Sequence, residues 1–128
     1  MSKPFRFGVQ SFNTTSGADW TRQVCKAEEL GYSAFHLADH IIGEGPALTR
    51  ANHPVQDVAA IPAMAHAAAV SSTINIGCRV FCIDYHNPVV LVKSAMTIDM
   101  LSNGRLELGL GAGWVKDEYE AIGLKMDE

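Results

Sequence analysis

Residues 106–119 read Leu-Glu-Leu-Gly-Leu-Gly-Ala-Gly-Trp-Val-Lys-Asp-Glu-Tyr, and the spacing within this run is chemically suggestive. Leu106, Leu108 and Leu110 alternate with Glu107, Gly109 and Gly111, with Gly113 in phase. In a strand this gives one leucine face and one face of nearly bare backbone. Glycine weakens a strand interior unless something must approach the backbone closely. A flat ring or a phosphate at the strand-to-helix turn beyond Trp114 would be such a visitor; a crowded neighbour in the sheet would be another. The spacing is not the dinucleotide fingerprint, because Gly-x-Gly-x-x-Gly needs a glycine where Trp114 stands.

A second group is Asp39-His40. An imidazole donates or accepts a proton near neutral pH, so His40 beside a carboxylate suits acid–base chemistry. The other reading is that the pair ends a strand and bonds loop backbone. His36-Leu-Ala-Asp-His40 resembles half a zinc site, but Leu37 stands where a glutamate would follow the first histidine. As a strand, the segment also separates the two imidazoles by about 13 Å at their roots, so no metal is expected. His53, His66 and His86 lack ligand-like spacing. Tyr85 or His86 could face a ligand from the loop at 84–88, although Asn87-Pro88 is explained by helix capping alone. Arg105 could pair with Asp99 and has no catalytic assignment.

The elements that must position these groups are legible in outline. Strands are expected over residues 5–10, 33–39, 74–82 and 106–110. A helix opens at Ala18 or Asp19 and closes at Gly31, with Trp20, Val24 and Ala27 on one face. A second helix covers roughly 57–71, a third runs from Pro88 to near Leu101 and stops at Asn103-Gly104, and a fourth begins over 115–122. Residues 40–56 have no periodicity, and loops of this length are usually functional.

Strands alternating with helices give right-handed βαβ units and a parallel sheet. The expected faces are Phe5, Phe7 and Val9 against Arg6, Gly8 and Gln10; Phe35 and Leu37 against His36, Ala38 and His40; Ile74, Ile76 and Val80 against Gly77, Arg79 and Phe81; and the leucines against Glu107, Gly109 and Gly111. One bulky apolar face and one small or polar face fit a barrel wall better than a doubly wound sheet covered on both sides. Eight strands need roughly 250 residues. The fold class expected is therefore α/β, the N-terminal half of a TIM-like (βα)8 barrel, with residues 1–128 as one incomplete domain.

The chain has 128 residues, net charge −4 and 48% hydrophobic residues. That balance suits a globular protein and gives a nucleic-acid partner no basic surface. No segment reads as a signal peptide or reaches membrane-spanning length. Cys25, Cys78 and Cys82 are read as free thiols in a reducing cytoplasm.

Phe7-Gly8-Val9-Gln10, Ala27-Glu-Glu-Leu-Gly31-Tyr32, Ala38-Asp39-His40, Ile74-Asn-Ile-Gly77, His86-Asn-Pro88, Thr97-Ile-Asp99-Met-Leu-Ser-Asn-Gly104-Arg105 and Leu108-Gly-Leu-Gly-Ala-Gly-Trp114, with Glu118-Tyr119 and Ile122-Gly123, occur in this order. Together they resemble the luciferase-like monooxygenase family. The wording at 109–114 and 82–88 is most similar to the branch that uses the deazaflavin coenzyme F420, with FMN the alternative cofactor. The resemblance implies an oxidoreductase or monooxygenase acting on a small-molecule substrate, with the cofactor ring at the carboxyl ends of the strands. It implies His40 as proton donor or orienting group with Asp39 beside it. Cys78, Arg79 and Val80 would form a bulged, sometimes cis, segment against the ring, Gly111 and Gly113 would border the ring, and Trp114 would shape an apolar pocket. The cofactor's phosphate contacts would come from the other half-barrel. A homo-oligomer or a missing C-terminal half is therefore expected, and a non-catalytic half-barrel that only binds or assembles is the alternative.

Overall fold

Local signals place the helices. In the computed structural model, which describes residues 4–126, Ser16 caps α1 (Gly17–Glu29) by accepting from the Asp19 amide. Trp20, Val24 and Ala27 form its buried stripe. Gly31 ends the turn after α1 at φ +79°, a conformation that favours glycine. Asn87 accepts from the amides of Val89 and Val90 and starts α4 (Pro88–Leu101), whose exit passes through left-handed Asn103 and Gly104. Between them lie α2 (Pro46–Ala51) and α3 (Ala60–Val70). The alanines of α3 let it approach closely, and Trp20 Nε1 donates to the Ala63 carbonyl at 3.1 Å.

The strands β1 (Gly8–Gln10), β2 (Ala34–Leu37), β3 (Asn75–Cys82) and β4 (Leu106–Gly111) form one parallel sheet in the order β1-β2-β3-β4. This is an α/β fold, the N-terminal half of a TIM-like barrel. Trp20, Val24, Phe35, Leu37, Met64, Ile76 and Phe81 belong to a single core between the sheet and α1, α3 and α4. A 3₁₀ turn (Ile83–Tyr85) links β3 to α4, and α5 (Lys116–Ala121) follows β4.

Four expectations change. The first strand is three residues long, and Phe5 and Phe7 are 92% and 69% exposed at the open edge of the sheet, so only Val9 of that face packs on the core. The unpatterned 40–56 segment contains α2, too short to show a period. The bulged segment expected at 78–80 from the family resemblance is present, with the β3–β4 register slipping between Cys78 and Phe81 and the Arg79–Val80 peptide cis, but its effect on the faces was not expected. The bulge reverses the expected faces: Phe81 enters the helix-side core, while Val80 turns inward over Gly109 and Gly111. Finally, Arg105 does not pair with Asp99. Its guanidinium donates to the carbonyls of Ala68, Ser71, Ile74 and Ser102 and to Ser71 Oγ, while Asp99 accepts from the Leu106 amide.

Candidate active site at the carboxyl rim

The inward face of the sheet carries a polar network near its amino end. Glu107 accepts from Arg6, from Asn75 at 2.8 Å and pairs with His36 at 2.9 Å. Burial opposes ionisation of Glu107, but these three bonds outweigh it and hold the carboxyl down at about 2. A partly buried charge thereby gains its partners. Gly77 leaves room for this network, since a Cβ there would lie 2.8 Å from the His36 ring.

Just past β2, Asp39 and His40 diverge. Asp39 Oδ2 accepts from the Cys82 amide at 3.0 Å and pairs with His86 Nε2 at 2.7 Å, so it clamps the loops after β2 and β3 together. His40 turns to the fourth βα unit, where Glu118 is 1% exposed. Glu118 Oε2 lies 2.9 Å from His40 Nδ1 and accepts from the Tyr85 hydroxyl at 3.1 Å, while Oε1 accepts from the Ile41 amide at 2.7 Å. Burial works against the Glu118 charge, yet the His40 and backbone bonds hold its carboxyl below the ordinary range. Burial, and then the Glu118 charge, push the Tyr85 hydroxyl up. The next residue, Tyr119, donates to Asp84 at 2.7 Å and accepts from the Gly113 amide at 3.0 Å.

His53, from the loop after α2, stacks obliquely on His40 with ring centroids 3.9 Å apart, and both rings meet the edge or face of Trp114. Burial, followed by the proximity of His40, lowers the basicity of His53. Arg50 of α2 pairs with Asp117 of α5 at 2.7 Å, so α2 is held over the rim.

Asp39, His40, Arg79, Val80, Gly113 and Trp114 line one hollow of about 120 Å³, together with Cys82 and Tyr85. A larger cleft of about 740 Å³ lies beyond Asp39 and His40, toward the start of α3. The smaller hollow gathers the groups able to handle charge and protons. Cys78 is not among them: its side chain is buried in the helix-side core, and burial pushes its thiol up. Gly111 is also apart, because Val80 covers it. The glycine stripe therefore makes room mainly for the protein's own side chains. A Cβ at Gly109 would stand 2.6 Å from the Cys78 carbonyl, and one at Gly113 would stand 2.6 Å from the Tyr119 ring.

Sequence reasoning gave Glu118 no role, although Glu118-Tyr119 stands among the family motifs, because its Lys-Asp-Glu-Tyr-Glu setting reads as a solvated helix start; it also missed His53, which carries no spacing signal. Its one available sign was its place in a long aperiodic loop.

The parallel sheet, its helices on one face and the polar rim at the strand ends describe half of a TIM-like barrel with a candidate site built from the βα loops. The chain belongs to the luciferase-like monooxygenase family, whose model matches residues 2–128. An uncharacterized protein of Mycobacterium tuberculosis is 30% identical over 124 residues, covering 88% of this chain and 43% of its own length. The F420-dependent glucose-6-phosphate dehydrogenase of Amycolatopsis mediterranei is 29% identical over 111 residues, covering 86% and 32%. The monooxygenase RslO1 of Streptomyces bottropensis superposes with TM-score 0.80 at 22% identity, over 97% of this chain and 38% of that one. The chain thus spans less than half the length of these relatives. Both F420-dependent and FMN-bound proteins are among the matches. Among the described residues, no helix is long and apolar enough to cross a membrane.

Proposed function

We propose that the whole protein is an F420-dependent oxidoreductase acting on a small-molecule substrate, with the hollow beside His40 meeting the cofactor ring. The observation that carries this reading is the convergence of a carboxylate-oriented imidazole, an arginine and exposed apolar surface. Arg79 has no hydrogen-bond or ion-pair partner among the described residues, leaving its charge for an anionic ring. Val80 and Trp114 present apolar surface, which suits a flat ring. The bound cofactor would supply hydride transfer; the protein supplies orientation and proton handling. Glu118 accepts from His40 Nδ1, so Nε2 is the atom at which His40 takes or gives a proton. Trp114 and Val80, both exposed at the rim, would shield one face of a bound ring from water.

FMN is the second reading, supported by the same fold in the FMN-bound oxygenating component of a Baeyer–Villiger monooxygenase, TM-score 0.75. The open edges β1 and β4 call for further strands, from the rest of a longer chain or from a second copy. Titration of the complete gene product with F420 and with FMN, followed by fluorescence, separates the readings. Tight binding of F420, at least tenfold over FMN, is expected, and preference for FMN selects the second reading. Binding of neither overturns both and leaves a binding or assembly module. Residues 1–128 alone should hold either coenzyme no better than roughly millimolar, since barrel phosphate sites follow strands seven and eight.

A further inference from the structure

The carbonyl oxygen of Pro54 lies 2.7 Å from His53 Nδ1, and the Glu118 carboxylate lies 2.9 Å from His40 Nδ1. Both oxygens act only as acceptors, because Glu118 is held ionised and a carbonyl has no proton to give. Each Nδ1 therefore carries the hydrogen whatever the charge of its ring. Each Nε2 is bare in the neutral ring and protonated in the cation. Two imidazoles with the same fixed tautomer stand 3.9 Å apart by ring centroid. Two cations at that separation repel strongly in a partly buried site.

We infer that His40 and His53 form a one-proton pair, oriented by Glu118 and the Pro54 carbonyl, in which His53 is the solvent-side member through which His40 exchanges its proton. His40 has a side-chain exposure of 9%, and His53 is half-buried on the outer loop. The step is a proton transfer alone, relayed by a water molecule because the tilted rings share no hydrogen bond: an N–H bond breaks at Nε2 of the cationic ring as water takes the proton, and one forms at Nε2 of the neutral ring as water gives one up, with no change in oxidation state. The charged and titratable groups around the pair fit a single added proton. Glu118 from α5 supplies one negative charge, and Tyr85 from the 3₁₀ turn donates to that same carboxylate. Asp39 is taken up by His86, and Arg79 across the hollow disfavours a second positive charge. The lowered basicity of His53 accords with this division.

The inference deepens the proposed function, since it supplies a proton route for the His40 site, but its test needs no cofactor. Nitrogen-15 spectra of the complete gene product, labelled at histidine, report tautomer and protonation ring by ring. In the wild type, both rings should show the Nδ1–H form when neutral. A single added proton should be shared by the two rings, seen at both Nε2 sites in exchange. In His53→Gln, the His40 ring should keep the Nδ1–H form that Glu118 fixes. Exchange of its ring proton with water should slow at least about threefold, and free imidazole should restore it. His40 in the Nε2–H form overturns the inference, as does an unchanged His40 exchange rate in His53→Gln. The tautomer measurement uses the wild type, so it stands even where a variant folds poorly. Failure to bind F420 or FMN would overturn the proposed function and leave these spectra unaffected.

Discussion

The Cγ2 atom of Val80 lies 2.6 Å from the place a Cβ would occupy at Gly111. The bulge in β3 and the glycines of β4 are thus complementary: one strand turns a branched side chain inward where its neighbour has none.

Substitutions on this stripe should follow what each Cβ meets. Gly111→Ala displaces a side chain, costing about 1–3 kcal/mol as overpacking does, and Val80→Ala should restore most of it. Gly109→Ala meets the Cys78 carbonyl, a backbone atom fixed in the sheet, as well as Val80 Cγ1 at 2.9 Å, and should destabilise more, with only part of the loss relieved by Val80→Ala. Urea unfolding of the four variants gives the comparison. Equal losses for Gly109→Ala and Gly111→Ala would contradict the geometry.

Arg105 gathers five acceptors at the end of α3, the start of β3 and the end of α4. Lysine keeps the charge but not the planar fork. Arg105→Lys should cost about 2–4 kcal/mol through carbonyls left unpaired, read as a lowered thermal midpoint. Coenzyme affinity of the protein that remains folded should be unchanged. A neutral substitution would mean that water replaces the fork.

Acid should weaken the fold through Glu28 and Glu107. Burial opposes the Glu28 charge, but the amides of Thr73, Ile74 and Ser72 outweigh it and bring the carboxyl to about 2; Glu107 is also at about 2. Both folded values lie below the ordinary 4.5, so the unfolded chain binds protons first as pH falls. Their stabilisation is complete above 4.5 and is lost between there and about 2. Glu28→Gln should be less stable at pH 7 and show a shallower fall in unfolding midpoint across that window. An unchanged slope would remove Glu28 from the account.

Apart from the short α2, the helices were legible because their signals are local: Asn87 caps, Gly31 and Gly104 stop, and Trp20, Val24 and Ala27 repeat at helical spacing. The four parallel strands followed from alternation, and the same alternation misled at Val80 and Phe81. Both residues are apolar, so either suits the core, and a one-residue bulge leaves no mark in such a pattern. The group of His40, Arg79, Val80, Gly113 and Trp114 was legible through family motifs. Cys78 was included because it adjoins the bulge, yet strand direction sends its side chain into the core. Glu118 was hidden for another reason: its value comes from partners 33 to 78 residues away, and nothing in a charged helix start announces them.

That separation sets an order of events during synthesis. A ribosome must release residue 118 before His40 can find its carboxylate, 78 positions earlier in the chain. Until then the portion from β1 through α4 can close the core, and Asp39 can already reach His86, but His40 and the two amides after it lack their anchor. Sheet and rim would therefore mature at different moments, with the most non-local contacts arriving late. A growing chain would carry a formed wall well before it carried a poised imidazole.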